Sequence, residues 1–432
     1  MKVIVNILVL LFGLWGCKEE YIPEPFDPSD WIGSSLKCDS TLKLLWQEPV
    51  FKDTSETAAF FYYREGKLFY QFVPGNEEKR PAEMGFFQLK DNKIVYSNKL
   101  KADPQSENYL FYKYPESFVL SNDILCYTDG RRLYGLNHNL ELLWKIKPDG
   151  SRAEGYGSYF ISNFKNLIFF PSNNQDIIDS TGYGMPGYLL GVDIHNGSKN
   201  ILFTEPEQKY IRSNIDPPVA FEHNGDLITV FQIRKYNFFN GHNQSDLVSW
   251  NVTQNKKNWR LDSIDRMGIG SANAVLYENG KVYYAANSDI YCFDPISGSQ
   301  IWKQSFTNFP YHFQTNNLLL TEKGLIVKSN DHEICLLNKE NGQIQWENRN
   351  VGTSPNQLLY FKGDVFFNCG DGTLQCVNVS SGLVKFKMKS PNNCKDDRAH
   401  YGINQFIINP ENNLLYISDD FFVQCFQLKG YD

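Results

Sequence analysis

Almost every pattern that announces chemistry is missing from this sequence. None of its seven histidines (138, 195, 223, 242, 312, 332 and 400) stands in a His-x-x-x-His pair, and no Cys-x-x-Cys occurs, so a metal site of the zinc type has no support. No Gly-x-Ser-x-Gly elbow presents a nucleophile, and no glycine-rich loop could cradle a phosphate. Asp371-Gly372 reads as a hairpin turn and not as part of a calcium loop. Basic residues are in deficit: 42 Lys and Arg face 49 Asp and Glu, a formal charge of −7, and no run of them forms a stripe. Nucleic acid is therefore not an expected partner, because its binding rests on neutralising phosphates. Gly and Pro, at 31 and 19 in 432 residues, are too few for a low-complexity or disordered chain. What is plentiful is aromatic: Tyr, Phe and Trp make up 15% of the residues. Such side chains suit the pleated, half-buried surface of a sheet, which predicts an all-β protein.

The first residues read as a targeting segment. Lys2 supplies a positive charge, and Val3 to Trp15 is apolar except for Asn6 and Gly13. That stretch is too short to cross a bilayer comfortably and matches a signal-peptide core. It ends in Leu14-Trp15-Gly16-Cys17, which resembles the bacterial lipobox, although Trp15 is bulkier than usual there. Lipidation of Cys17 would anchor the mature chain to the membrane, each buried CH₂ of the acyl chains contributing roughly 0.8 kcal/mol. Residue 18 is Lys and not the Asp that retains lipoproteins in the inner membrane, so the bacterial outer membrane is the expected location, facing the periplasm or the surface. Lys18-Glu19-Glu20 also resembles the acidic tag of surface lipoproteins of the Bacteroidetes type. The chain thus divides into a lipoprotein signal peptide (1–16), a tether with Pro23, Pro25 and Pro28 (17–37) and one folded domain (38–432).

That domain is repetitive. The clearest copy runs Lys281-Val-Tyr-Tyr-Ala-Ala-Asn-Ser-Asp-Ile-Tyr-Cys-Phe-Asp294, then Gly298 and Trp302. The next copies have Asn338, Gly342 and Trp346, then Asn378, Gly382 and Phe386. Upstream, Leu247 to Asn251 reaches Trp259, Leu133 to Asn137 reaches Trp144, and Phe86 to Lys90 reaches Tyr96. Tyr188 to Asp193 with Gly197 keeps the strand and the turn but lacks a Trp. Asn404–Ile408, Asn413–Ser418 and Phe422–Leu428 supply three strands of a last unit, and the chain stops before its Trp strand. Thr41-Leu-Lys-Leu-Leu-Trp46 is a Trp strand with no unit before it. The two ends predict an eight-bladed β-propeller whose N-terminal strand completes the last blade, a closure that removes free sheet edges.

Each repeat residue has a structural role in this reading. Gly298, Gly342 and Gly382 supply positive φ in a tight turn. Asp294, Asn338 and Asn378 bond that turn's backbone. Trp46, Trp144, Trp259, Trp302 and Trp346 pack between blades. The pattern resembles the PQQ-like propeller repeat, with its small-x-Asp, Thr-Gly and Trp consensus. That family holds quinoprotein dehydrogenases, which bind pyrroloquinoline quinone and calcium, and non-enzymatic lipoproteins of the BamB type that serve outer-membrane β-barrel assembly. The dehydrogenases carry two adjacent cysteines near the quinone, and no two of the nine cysteines here are adjacent. Neither an enzyme nor a cofactor is expected.

The remaining cysteines fit the repeat. Cys292, Cys376 and Cys425 fall at the small position that Gly135, Gly191 and Ser249 occupy elsewhere. Cys126, Cys335 and Cys369 read as strand residues, and Cys38 and Cys394 are the one pair with both members in loops. Insertions at Val73–Gly85, Pro171–Gly187 and Ile233–Asp246, with the links 151–157 and 390–401, share one face of the ring. Tyr183, Tyr236, Phe238, Phe239 and His242 read as loop residues of that face around blades 3 and 4, where a partner is expected to bind. The reading is a monomeric, non-enzymatic scaffold that binds another envelope protein, with outer-membrane protein assembly as one process it could serve. The alternatives are a surface receptor for glycan or peptide and, less favoured, a quinone-dependent dehydrogenase.

Overall fold

The structure is a computed structural model, which describes residues 42–49, 56–64, 66–74, 83–90, 93–100, 118–121, 123–128, 132–147, 156–157, 161–173, 187–206, 208–265, 275–286, 288–306, 318–353, 358–393, 399–401, 406–419, 421–428 and 430–431. These form eight antiparallel sheets. Blade 1 spans Glu56–Leu100, blade 2 Phe118–Ile146, blade 3 Tyr156–Glu205 and blade 4 Ile211–Asp265. Blade 5 spans Val275–Ser305, blade 6 Leu318–Asn348 and blade 7 Leu358–Met388. Within each the strands are hydrogen-bonded in chain order, here a to d. The a strands of neighbouring blades touch around most of the ring, which places them innermost and the d strands on the rim. Middle strands such as Ile124–Thr128 and Leu414–Ser418 are buried at every position, because the next blades cover both faces of each sheet.

Blade 8 closes the ring as the chain ends predict. Phe406–Asn409, Leu414–Ser418 and Phe422–Gln427 are its first three strands, and Lys43–Pro49 is the fourth. That strand runs antiparallel to Phe422–Gln427 with Trp46 opposite Cys425. The C-terminal residues reinforce the seam. Tyr431 is buried against Phe361 and Phe366, its hydroxyl donates to Asp364, and its carbonyl accepts from Lys362 Nζ at 2.6 Å.

Every d strand carries a β-bulge that the sequence pattern did not announce. The extra residue immediately precedes the aromatic: Leu45, Val95, Leu143, Asn258, Ile301, Gln345 and Lys385 stand before Trp46, Tyr96, Trp144, Trp259, Trp302, Trp346 and Phe386. A bulge twists an edge strand and spoils its ladder, which protects eight exposed rims from pairing with other chains. Blade 3, which lacks the Trp, keeps the bulge with a Phe: Leu202 is the extra residue and Phe203 follows it. Leu202 covers Gly191, where a Cβ would lie 2.8 Å from it, and Phe203 packs on Phe231 and Trp250 of blade 4.

The aromatics join blades through one recurring joint. Trp144, Trp259, Trp302 and Trp346 each donate their indole N–H to a carbonyl in the next blade, at Ile194, Pro295, Lys339 and Val379, over 2.6–2.9 Å. Each acceptor follows the Asp or Asn of the repeat. That side chain holds the turn: Asp294 Oδ1 accepts from the backbone N–H groups of Ile296 and Ser297, and Asn338 Oδ1 from those of Glu340 and Asn341. Gly298 has φ near +73° and lies flat under Trp259, where a Cβ would stand 2.7 Å from the indole. Gly342 and Gly382 meet Trp302 and Trp346 in the same way. The glycine therefore answers two demands, a left-handed backbone and room for a ring.

Candidate partner-binding face

Blade 4 departs from the other blades. Its second strand, Asp226–Asn237, has 12 residues and its fourth, Lys256–Asp265, has 10, where the corresponding strands of blade 6 have 4 and 5. Pro217-Pro218 cannot donate to a ladder, so the inner strand breaks there. Val219–His223 pairs with the lower half of Asp226–Asn237 and Ile211–Ile215 with the upper half. The upper half is a tongue of sheet rising from the face shared by the b–c turns and the links between blades. The expected loop at Ile233–Asp246 is therefore mostly strand. Strand pairing continues to Tyr236 opposite Asn243, and only Phe238 to His242 turn. Asn237 holds the turn as the repeat's Asp residues hold theirs, its Oδ1 accepting from Phe239 N–H, with Gly241 at φ near +70°.

Buried charges brace the base of the tongue. Glu205 and Asp246 are fully buried and share two cations, Arg260 and Lys235. Arg260 grips Glu205 with both Nη atoms, at 2.9 and 2.8 Å, and also bonds Asp246. Glu205 comes from blade 3 and the others from blade 4, so the cluster ties the tongue to its neighbour. Burial alone would raise the Asp246 carboxyl, but hydrogen bonds from Lys235, the Ser263 N–H and Arg260 outweigh it and hold the carboxyl below its ordinary value. A second pair stands beside it: Arg234 clasps Asp216 over 2.7–3.1 Å. Gln232 completes the strip by donating to Ser245 Oγ at 2.8 Å.

The tip gathers most of the expected face residues. Tyr236 and Phe238 meet edge to face at 4.8 Å, and the Arg212 guanidinium lies over both rings at 5.7 and 5.8 Å. Phe239, 83% exposed, stands 6.0 Å from Tyr210, itself 40% exposed. The backbone joins these pieces, since Phe238 N–H donates to Tyr210 C=O at 2.8 Å. His242 is exposed on the returning strand side. Tyr210 and Arg212 escaped the sequence reading because they lie in the turn before the inner strand and on that strand; the signal for them was the long blade-4 repeat, whose extra residues had to pair with something. Tyr183, Cys17, Cys38 and Cys394 lie outside the described residues.

A model of the PQQ-like family, described as outer membrane protein assembly factor BamB, matches residues 43–304 and 243–393. The chain belongs to this family. The family is associated with the bacterial outer membrane. Among solved structures, BamB from Moraxella catarrhalis is 12% identical with a TM-score of 0.51, covering 90% of this chain and all (100%) of that one. Sqt1 from Saccharomyces cerevisiae is 10% identical with a TM-score of 0.59, covering 89% of this chain and 98% of that one. A europium-containing methanol dehydrogenase is 11% identical with a TM-score of 0.57, covering 88% and 85%. At such identities the likeness is one of fold. No curated protein matches the sequence.

The BamB-like ring has no counterpart of the dehydrogenases' adjacent thiols among its described cysteines. Cys126, Cys292, Cys335, Cys369, Cys376 and Cys425 are free and buried. Burial pushes five of these thiols up to about 12 and Cys335 higher still. Cys292, Cys376 and Cys425 sit opposite Trp302, Phe386 and Trp46, where a small side chain leaves room for a ring. Among the described residues no three of His, Cys, Asp and Glu converge as a metal site would require.

Proposed function

We propose that this BamB-like propeller is a non-catalytic, lipid-anchored scaffold of the bacterial outer membrane. It binds another envelope protein through the blade-4 face and serves outer-membrane protein assembly. One observation carries the reading: a braced tongue of sheet presents Tyr210, Phe238 and Phe239 to solvent, with Tyr236 half-buried against Phe238. Aromatic groups on a rigid mount lose little freedom on binding and dominate the energetic centre of protein interfaces. The lipobox-like segment and the family's association with outer-membrane assembly support the setting.

The test is a mild crosslink in the native host followed by affinity capture. The tag belongs in the exposed Asn279-Gly280 turn on the opposite face. Recovery of barrel-assembly subunits by the natural chain, and their loss on replacing Tyr236, Phe238 and Phe239 together by Ala, supports the proposal. Unchanged capture by that variant, or capture of nothing, refutes it. The exposure of Phe239 also favours a second reading, a sugar-stacking surface; binding on a glycan array that the triple variant loses would establish it instead.

A further inference from the structure

Asn-Gly steps occur at 196, 224, 240, 279 and 341, and each Asn stands in a turn. With no side chain on the glycine, its nitrogen can close on the preceding amide carbon, a reaction favoured by being intramolecular. Three of the steps are held against it. Gly197, Gly241 and Gly342 donate their N–H to the carbonyls of Asp193, Asn237 and Asn338 at 2.8–2.9 Å. Their asparagines are fixed as well: Oδ1 of Asn196, Asn240 and Asn341 accepts from the N–H of Ser198, His242 and Gln343. The other two steps, Asn224-Gly225 and Asn279-Gly280, are two-residue hairpins with positive φ at both positions. Neither glycine N–H has a partner among the described residues, and a Cβ on either glycine would meet nothing within 4 Å. Asn224 is tied through its amide to His223 Nε2 at 3.0 Å. Asn279, equally exposed, has no such tie among the described residues.

We infer that Asn279 is a site of spontaneous modification, at which the folded chain converts asparagine to isoaspartate and aspartate and loosens the joint between blades 5 and 6. The Gly280 nitrogen gives up its proton and bonds to Asn279 Cγ. The Cγ–Nδ2 bond breaks, and ammonia leaves with that proton. Solvent water then opens the cyclic imide. Opening at the main-chain carbonyl leaves the chain running through Cβ and Cγ, an isoaspartate; opening at the side-chain carbonyl gives aspartate. No electrons are exchanged, and water is the one co-reactant. The place gives the change its effect, because the turn is clamped to blade 6 on both sides. Lys339 Nζ bonds Glu278, and Lys281 Nζ bonds Glu340. The Lys339 carbonyl is also the acceptor of the Trp302 indole. Isoaspartate inserts one carbon into the main chain between the paired residues Glu278 and Lys281, so both clamps lose their register.

The test ages the full chain in mildly alkaline buffer and follows all five steps by peptide mass spectrometry. Electron-transfer fragmentation separates isoaspartate from aspartate. Conversion at 279 should be at least fivefold faster than at 196, 240 and 341, and faster than at 224. In denaturant the five rates should converge, since the sequence of the step is the same and the turn bonds are gone. Hydrogen exchange should quicken in 275–286 and 334–344 of the converted chain. The variant Asn279→Asp, which adds the charge without the extra carbon, should leave that exchange unchanged. Conversion at 279 no faster than at the three bonded steps overturns the inference, as does the same ranking in the unfolded chain. Unchanged exchange in the converted chain, or equal quickening in Asn279→Asp, overturns the loosening of the joint by the extra carbon.

Discussion

Lys328 shows how tertiary packing sets the state of a single side chain. It ends the strand Leu325–Lys328. In the ring it is fully buried, and among the described residues its ammonium donates to the backbone carbonyls of Ser329 and Asp331, at 2.6 and 2.5 Å. Burial, against the weaker pull of Asp331 and Glu333, lowers its pKa to about 8 from an ordinary 10.5. Above pH 10.5 the amine is neutral in both folded and unfolded chains. Between 10.5 and 8 the unfolded chain takes up the proton and the folded chain does not, so this residue's contribution falls as pH falls, and it is flat below 8. Measured by denaturant unfolding, the natural chain should gain about 3 kcal/mol relative to Lys328→Met between pH 7.5 and 10.5. A pH-independent difference would mean that the amine reaches water.

At the scale of the element, the joint between blades separates two uses of glycine. Gly225 and Gly298 both have positive φ, but a Cβ at Gly225 meets nothing within 4 Å, whereas at Gly298 it strikes Trp259. Gly225→Ala should cost about 1 kcal/mol, the conformational term alone. Gly298→Ala should cost clearly more, about 3 kcal/mol, because the indole must leave the Pro295 carbonyl. Thermal unfolding of the two variants compares them directly. The same joint explains why blade 7 carries Phe386 in place of a Trp. Blade 8 has no c–d turn, since the two chain ends meet there, so no carbonyl awaits an indole. Tyr431 fills that space. In blade 1, Lys90 pairs directly with Lys93, and Trp46 Nε1 has no acceptor among the described residues. In the tongue, Arg260→Met leaves Glu205 and Asp246 buried with Lys235 alone, a loss of about 3–5 kcal/mol. Hydrogen exchange should then quicken in 233–247 while blades 5–8 stay protected; uniform exchange would show that the cluster does not hold the tongue.

At the scale of the molecule, closure concentrates in a single strand. Lys43–Pro49 completes blade 8, and without it Phe422–Gln427 becomes an open, largely apolar edge. A chain beginning at Leu42 should melt at the same temperature as one beginning at Cys17. A chain beginning at Val50 should melt at least 10 °C lower or aggregate, since an exposed edge both loses its ladder and recruits other chains. Equal melting of all three would place the stability of the ring elsewhere.

The sequence by itself determined the ring. Periodic Asp or Asn, Gly and Trp report local turn chemistry, and a Trp strand at one end with a blade missing that strand at the other leaves one way to close. Local signals of this kind survive in the order of the residues because they act over a few positions. Only the tertiary structure decided the bulge in each rim strand, the burial of Lys328 and the identity of the tongue. Those depend on which side chains meet across blades: Arg260 reaching Glu205 over 55 positions of chain, or Arg212 meeting Tyr236 and Phe238. Pairings at that separation are set by the packing of sheets on one another, and no local pattern encodes them.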